Sequence, residues 1–437
     1  MRRYEADRSL LAMRRREARR VLVIAPGELD EHLAGPEIRA VSFAKALSDD
    51  FDVTIAAQRS GHAEHEGIRV VPASRRRLIQ EAARHDVIIS ACLAPYLLAS
   101  RRVHDFIAIT DQYDPLEHVF ATLRDSRSRR RELRAHAAIR ALQLRHSDAV
   151  LCATARQRVE LLRLAAETLS HRVPWPDPVV IPFGISDPPP LSQRTPLRDR
   201  FPEIAPSDTL VLWWGSVWRW LDAETAIRAF AHIAKTRSDV KLVITAGRRP
   251  GSSAERMFET AEEMRTLAAR LGVLERSVFF LDAWIPYSER HDYLREADIG
   301  LTLHRHAEEA RLAARSRYMD YLSAELPCVL GRGDETAEEF GDSGFATLLE
   351  NPGHEAVAEA LLRLADDPRA LAAARACGHR LAIERRFSAV EEKLRIAVSD
   401  ALSASHSSAR RLASLDLVGG VGGYYARRLV DRLVATV

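Results

Sequence analysis

The chain has 437 residues, more than a single hydrophobic core usually organises, so two domains of ordinary size are expected. Hydrophobic residues make up 46% and charged residues 29%, a globular composition that argues against a disordered or membrane-embedded chain. The formal charge of +3 argues against a protein that coats nucleic acid, although arginines crowd the start of the chain and recur from Arg127 to Arg134.

Residues 1–18 read as a basic amphipathic helix or a frayed arm. No apolar run long enough for a signal peptide follows, and no later segment reads as a membrane span, so a cytoplasmic enzyme is expected. Residues 20–26 are apolar after Arg20, run into Pro26-Gly27 and are too short for a helix; they read as a buried parallel strand and a loop. Gly35 and Pro36 open an amphipathic helix carrying Val41, Phe43, Ala44 and Leu47, and residues 52–57 form the next strand. That sequence of elements is one βαβ unit. Residues 86–90, 106–110 and 148–152 repeat the strand pattern, Arg124 to Arg145 reads as an amphipathic helix with a solvated face, and residues 179–185 are the last strand of this half. Asp187, Pro188, Pro189 and Pro190 read as a linker.

The alternation then restarts. Strands are expected over 210–216, 241–247, 278–281, 299–303 and 327–330, with a helix from Ala223 to Thr236. After Glu355 the chain is rich in Ala and Leu and helical to about Ser403; Gly419, Gly420, Gly422 and Gly423 set off a last short helix with Arg427, Arg428 and Arg432. Two successive sets of alternating strands and helices predict an α/β chain of two doubly wound domains, with ligands in a cleft between them at the carboxyl ends of the strands. The expected boundaries are a basic arm over 1–19, a first domain over 20–190, a second over 191–385, and helices over 386–437 that pack back on the first domain.

Cys92, Cys152, Cys328 and Cys377 show neither CxxC nor metal-ligand spacing, so buried reduced thiols and no metal site are expected. Gly35 is not part of a GxGxxG run and no acidic residue ends the second strand, so no dinucleotide cofactor is expected. Gly35-Pro36 is either an ordinary helix start or a loop whose N–H groups face a phosphate or an acceptor. Asp111 and Asp114 directly follow a strand, which puts their carboxylates at the cleft edge; a plain turn at Asp114-Pro115 is the alternative. In the stretch from Gly215 and Ser216 to Asp222, Arg219 stands between Trp218 and Trp220, and an arginine set between indoles suggests an anion site. The densest constellation runs from His304 through Glu309 and Arg311 to Arg315, Arg317 and Asp320, with Asp320 about three turns beyond Glu309 if helix begins at once. Cations suit a diphosphate and carboxylates suit sugar hydroxyls, whereas the competing reading is a solvated charged helix face.

At these residues the chain resembles the family-4 retaining glycosyltransferases of the GT-B fold, over roughly residues 20 to 400. The resemblance is carried by residues 34–39, 181–184, 214–222, 281–286 and 317–327. It implies two Rossmann-like domains with an interdomain cleft, the donor held by the second and the acceptor by the first. It also implies transfer with retention of configuration from a nucleotide-diphosphate sugar, without metal or cofactor. Gly215, Ser216, Trp284, Ile285, Arg311, Arg315, Arg317 and Asp320 then fall to the donor, with the base at Trp284 and Ile285. Arg219, Glu309 and Asp114 fall to catalysis, and Gly35, Pro36 and Asp111 to the acceptor or phosphate loop. This chain departs from the family pattern in two ways. The position eight before Asp320 is Leu312, which leaves Glu309 as the nearest first acid, and Ser216 and Leu221 stand where the family commonly has an Arg and a Lys. Other chemistry on the same fold, such as nucleotide-sugar epimerisation or coupling of non-sugar cyclitols, is the nearest rival. A non-catalytic binding protein is further off, and the basic terminal segments suit a peripheral contact with anionic lipid.

Overall fold

A computed structural model describes residues 19–121, 127–168, 175–190, 192–247, 255–305, 307–350 and 352–404. The basic arm and the glycine-bounded terminal helix expected from sequence lie outside them. Among the described residues, no helix is long and apolar enough to cross a membrane.

The chain forms two compact units, one up to Pro182 together with the segment from Phe387 onward, the other Phe183–Arg386. The first is built on an eight-stranded sheet of β1 (Arg20–Ile24), β2 (Asp52–Ala57), β3 (Glu64–His65), β4 (Ile68–Pro72), β5 (Val87–Ser90), β6 (Ile107–Asp111), β7 (Ala149–Cys152) and β8 (Val179–Val180), in the order β3-β4-β2-β1-β5-β6-β7-β8. All pairs are parallel except β3 with β4. Val21, Leu22 and Val23 are buried in succession, as a strand covered on both faces requires. Helix α1 (Gly35–Leu47) follows β1; Pro36 occupies its first turn, and the Glu37 carboxylate accepts from the Ala34 N–H at 3.2 Å.

Two features of this unit differ from the sequence reading. The β3–β4 hairpin was not foreseen: its strands are short, and its turn is made by Glu66 and Gly67, both at positive φ, without an Asn or Asp to announce it. The strand expected over 179–185 is only two residues long, because beyond Val180 the backbone leaves the sheet.

The second unit has six parallel strands, β9 (Thr209–Trp213), β10 (Val240–Thr245), β11 (Val278–Leu281), β12 (Ile299–Thr302), β13 (Cys328–Gly331) and β14 (Ala346–Leu349), ordered β11-β10-β9-β12-β13-β14. Counted from β9 this is the order 3-2-1-4-5-6 of a doubly wound nucleotide-binding sheet, and the direction of winding reverses between β9 and β12. Its core gathers Trp213, Phe230, Ile244, Phe280, Leu301 and Leu361 from strands and flanking helices. The charged stretch after β12 is not one continuous helix: α2 (Ala307–Leu312) stops, Ala313 to Arg315 are non-helical, and α3 (Ser316–Ser323) begins again. The three-turn spacing of Glu309 and Asp320 on a common helix is therefore corrected.

The last described segment, α4 (Phe387–Ala404), lies in the first unit and packs on α1. Val390, Leu394 and Val398 bury its inner face, and Arg395 donates through Nε to the Ala46 carbonyl at 2.8 Å and pairs with Asp50 at 3.2 Å. Of the four cysteines, all with free thiols, Cys152 and Cys328 are buried as expected, whereas Cys92 is exposed on the turn after β5 and Cys377 is half-buried.

Candidate functional site

Rossmann-like sheets bind ligands at the carboxyl ends of the strands beside the point where winding reverses. In the second unit that point lies between β9 and β12, and the loops leaving these strands are laced together. Leu221 bridges His304 in antiparallel fashion, the Asp222 N–H donates to Leu303 at 2.9 Å, and the Arg305 N–H donates to Trp220 at 3.1 Å.

After β9 the backbone turns sharply. Gly215 has φ of 80° and Ser216 φ of 62°. A non-glycine residue there costs about 1–2 kcal/mol, so Ser216 must be held by its surroundings. The Trp213 indole N–H donates to the Ser216 carbonyl at 3.1 Å, the Ser216 hydroxyl donates to Gly247 at 3.3 Å, and the Gly215 N–H donates to the Thr245 hydroxyl at 2.8 Å. Trp284 and Ile285 enter through the same glycine. A Cβ on Gly247 would come within 2.2 Å of the Ala283 carbonyl, so the half-buried 284–285 segment runs directly against the strand end beside Ser216.

Helix α3 supplies the side chains that face this turn. Tyr321 is fully buried, and its hydroxyl accepts from the Trp214 N–H at 3.2 Å while lying 3.0 Å from the Leu301 carbonyl, so one phenol ties β9 to β12. Burial pushes its pKa up to about 12. Asp320 accepts from the Trp214 indole N–H at 3.0 Å and pairs with Arg290 at 3.1 Å; burial raises its pKa, against the pull of Arg290. Arg317 donates through Nη2 to the Gly215 carbonyl at 2.6 Å.

Arg315, close enough to Arg317 to act on its charge, belongs to a second cluster. Glu309 is 3% exposed and receives Arg315 at 2.8 Å; Arg315 also lies 3.7 Å from Asp334. Burial works against the Arg315 charge, but the two carboxylates outweigh it and raise its pKa. Burial lifts Asp334 to about 6. Asp334 also caps the following helix through the Ala337 N–H at 2.8 Å.

The structure thus brings Gly215, Ser216, Arg317 and Asp320 into one neighbourhood, with Trp284 and Ile285 alongside. Glu309 and Arg315 form a separate buried pair. Arg219 does not interleave with the indoles, because Trp218 and Trp220 stack on each other at 4.7 Å; its guanidinium is 4.0 Å from Glu263. Arg311, half-buried in α2, is 3.5 Å from Glu308. In the first unit, Asp111 is buried and accepts from Arg39 of α1 at 2.6 and 2.9 Å, which ties the end of β6 to the helix opened by Gly35 and Pro36. Asp114 is half-buried beyond it, its carbonyl 3.4 Å from Arg140. Sequence reasoning missed Arg290 and Tyr321 as site-shaping residues. Tyr321 lies in a stretch that carried the resemblance but was given no role, Arg290 lies in none, and only the tertiary fold sets Arg290 against Asp320.

No protein-family model matches the chain, and no curated protein matches it. Among solved structures, sucrose-phosphate synthase from Thermosynechococcus elongatus is similar with a TM-score of 0.64 at 16% identity, over 88% of this chain and 100% of the other. Anabaena HepE in complex with UDP and glucose gives 0.65 at 15% identity, over 87% and 100%. A UDP-forming α,α-trehalose-phosphate synthase from Burkholderia xenovorans gives 0.63 at 14% identity, over 87% and 99%. Identities this low speak to the fold alone. The similar structures are GT-B glycosyltransferases, and the chain shares their fold, two Rossmann-like units each built on a predominantly parallel sheet.

Proposed function

We propose that this chain is a glycosyltransferase that moves a sugar from a uridine-diphosphate sugar to an acceptor with retention of configuration. The observation that carries the reading is the arrangement at the winding reversal of the second sheet. There the Gly215-Ser216 turn, the Arg317 guanidinium and the Asp320 carboxylate converge on the end of β9, the strand beside β12. Uridine is favoured because HepE is seen with UDP and the trehalose-phosphate synthase is described as UDP-forming.

In this reading the Trp284-Ile285 segment receives the base, Asp320 accepts from sugar or ribose hydroxyls, and positive charge stabilises the oxygens of the departing diphosphate as an oxocarbenium-like sugar forms. Glu309 acts through Arg315, whose charge it holds beside Arg317. The acceptor falls to the first unit, near the start of α1 and the Asp111 to Asp114 turn.

A thermal-shift series with the diphosphates of uridine, guanosine, adenosine and thymidine, and with their sugars, tests the reading. A ligand that binds only the folded state raises Tm with its concentration. A rise with UDP or a UDP-sugar, followed by release of free UDP when acceptors are added, is expected. A flat Tm across the whole series sinks the proposal, and conversion of the sugar without free diphosphate points to epimerisation instead.

A further inference from the structure

A departing diphosphate needs a cation, and the two loop positions at which the resemblance expects one, Ser216 and Leu221, have none. Both are buried and committed elsewhere, Ser216 to the Gly247 carbonyl and Leu221 to its bridge with His304. The charge must come from another element.

The arginines of residues 215–222 and 304–322 differ in how their charge is already met. Arg219 lies 4.0 Å from Glu263, and Arg311 3.5 Å from Glu308. Arg305 is held by Asp222 and Glu224, each at 3.2 Å. Arg315 is enclosed by Glu309 and Asp334. Arg317 enters no ion pair among the described residues. It is 8% exposed, its Nη2 is spent on the Gly215 carbonyl, and its Nη1 is buried without an acceptor.

A buried guanidinium with an unmet donor is unfavourable unless something else accepts from it. Burial draws the Arg317 pKa down to about 10, which still leaves it charged at neutral pH. The turn at Gly215 brings the loop backbone against the guanidinium, and a Cβ there would stand 3.7 Å from its central carbon. The one bond to Gly215 fixes the fork in place and leaves the other nitrogen for a ligand.

We propose that Arg317 of α3 is the cation that holds the donor diphosphate, acting across the Gly215 turn in place of the loop positions Ser216 and Leu221. The assignment rests on the glycosyltransferase reading. A phosphate oxygen accepts from Nη1 in a charge-assisted bond while Nη2 stays on Gly215.

Calorimetry on the full chain tests it, with UDP, GDP, ADP and TDP each measured against its own nucleoside, in wild type, Arg317→Met and Arg317→Lys. Methionine keeps much of the stem volume and removes the charge. The expected result is a diphosphate affinity about 10- to 100-fold weaker in Arg317→Met, intermediate in Arg317→Lys, with the nucleoside affinity unchanged. An equal loss for nucleoside and diphosphate marks a structural role and overturns the assignment, as does undiminished diphosphate binding. Should Arg317→Met fail to fold, an unchanged ratio of diphosphate to nucleoside affinity in Arg317→Lys overturns it as well. If the wild type binds no nucleoside diphosphate, the glycosyltransferase reading itself falls; if it binds one and the variants bind it equally, only Arg317 does.

Discussion

His291 lies in the second unit at 3% exposure, and its Nε2 has no partner among the described residues. Burial first, then the nearby Arg290 and Arg295, pull its pKa from 6.5 down to about 3. A histidine depressed in the folded state stabilises above its unfolded pKa, and that contribution is lost as pH falls from about 6.5 towards 3. The prediction is that His291→Leu loses less stability than wild type between pH 7 and pH 4, measured by urea denaturation at each pH. Parallel curves for the two proteins would contradict it. None of this is legible in the sequence, where His291 is one polar residue in a charged stretch. The same holds for Asp320, whose acidic character was readable but whose partners, Trp214 and Arg290, were brought to it by folding.

At the scale of elements, the buried strands were legible because uninterrupted runs of Val, Ile and Leu are characteristic of parallel strands with helices on both faces. β2 and β11 have the bounds that their apolar runs predict. β14 and the β3–β4 hairpin were missed, being short and only partly apolar, and the break between α2 and α3 leaves no glycine or proline to mark it. Helix α4 also carries a prediction. Leu394 is 1% exposed on the face that meets α1. Replacing it with alanine removes buried methyl groups and leaves a cavity, costing about 3 kcal/mol. Leu394→Ala should therefore speed hydrogen exchange in α1 and β1 while the second sheet keeps its wild-type rates. Unchanged exchange in α1 would show that α4 contributes nothing to the first unit.

For the whole molecule, the proposed transfer depends on charge carried by arginine rather than by a divalent ion. Nucleotide release should accordingly survive excess EDTA, and a loss of turnover restored by Mg²⁺ would contradict this. The sequence by itself determined that the chain is α/β and that two Rossmann-like sheets follow one another, and it singled out residues 215–222 and 304–322 as the candidate site. Those are properties of local patterning, since apolar period, glycine turns and charge density are written along the chain. Only the tertiary structure decided which charges neutralise one another. Glu309 meets Arg315, Asp111 meets Arg39 and Asp320 meets Arg290, while Arg317 is held against the Gly215 carbonyl and enters no ion pair among the described residues. The reason is physical: the energy of a buried charge depends on distances of a few ångströms between residues up to about a hundred positions apart, and no local pattern encodes them.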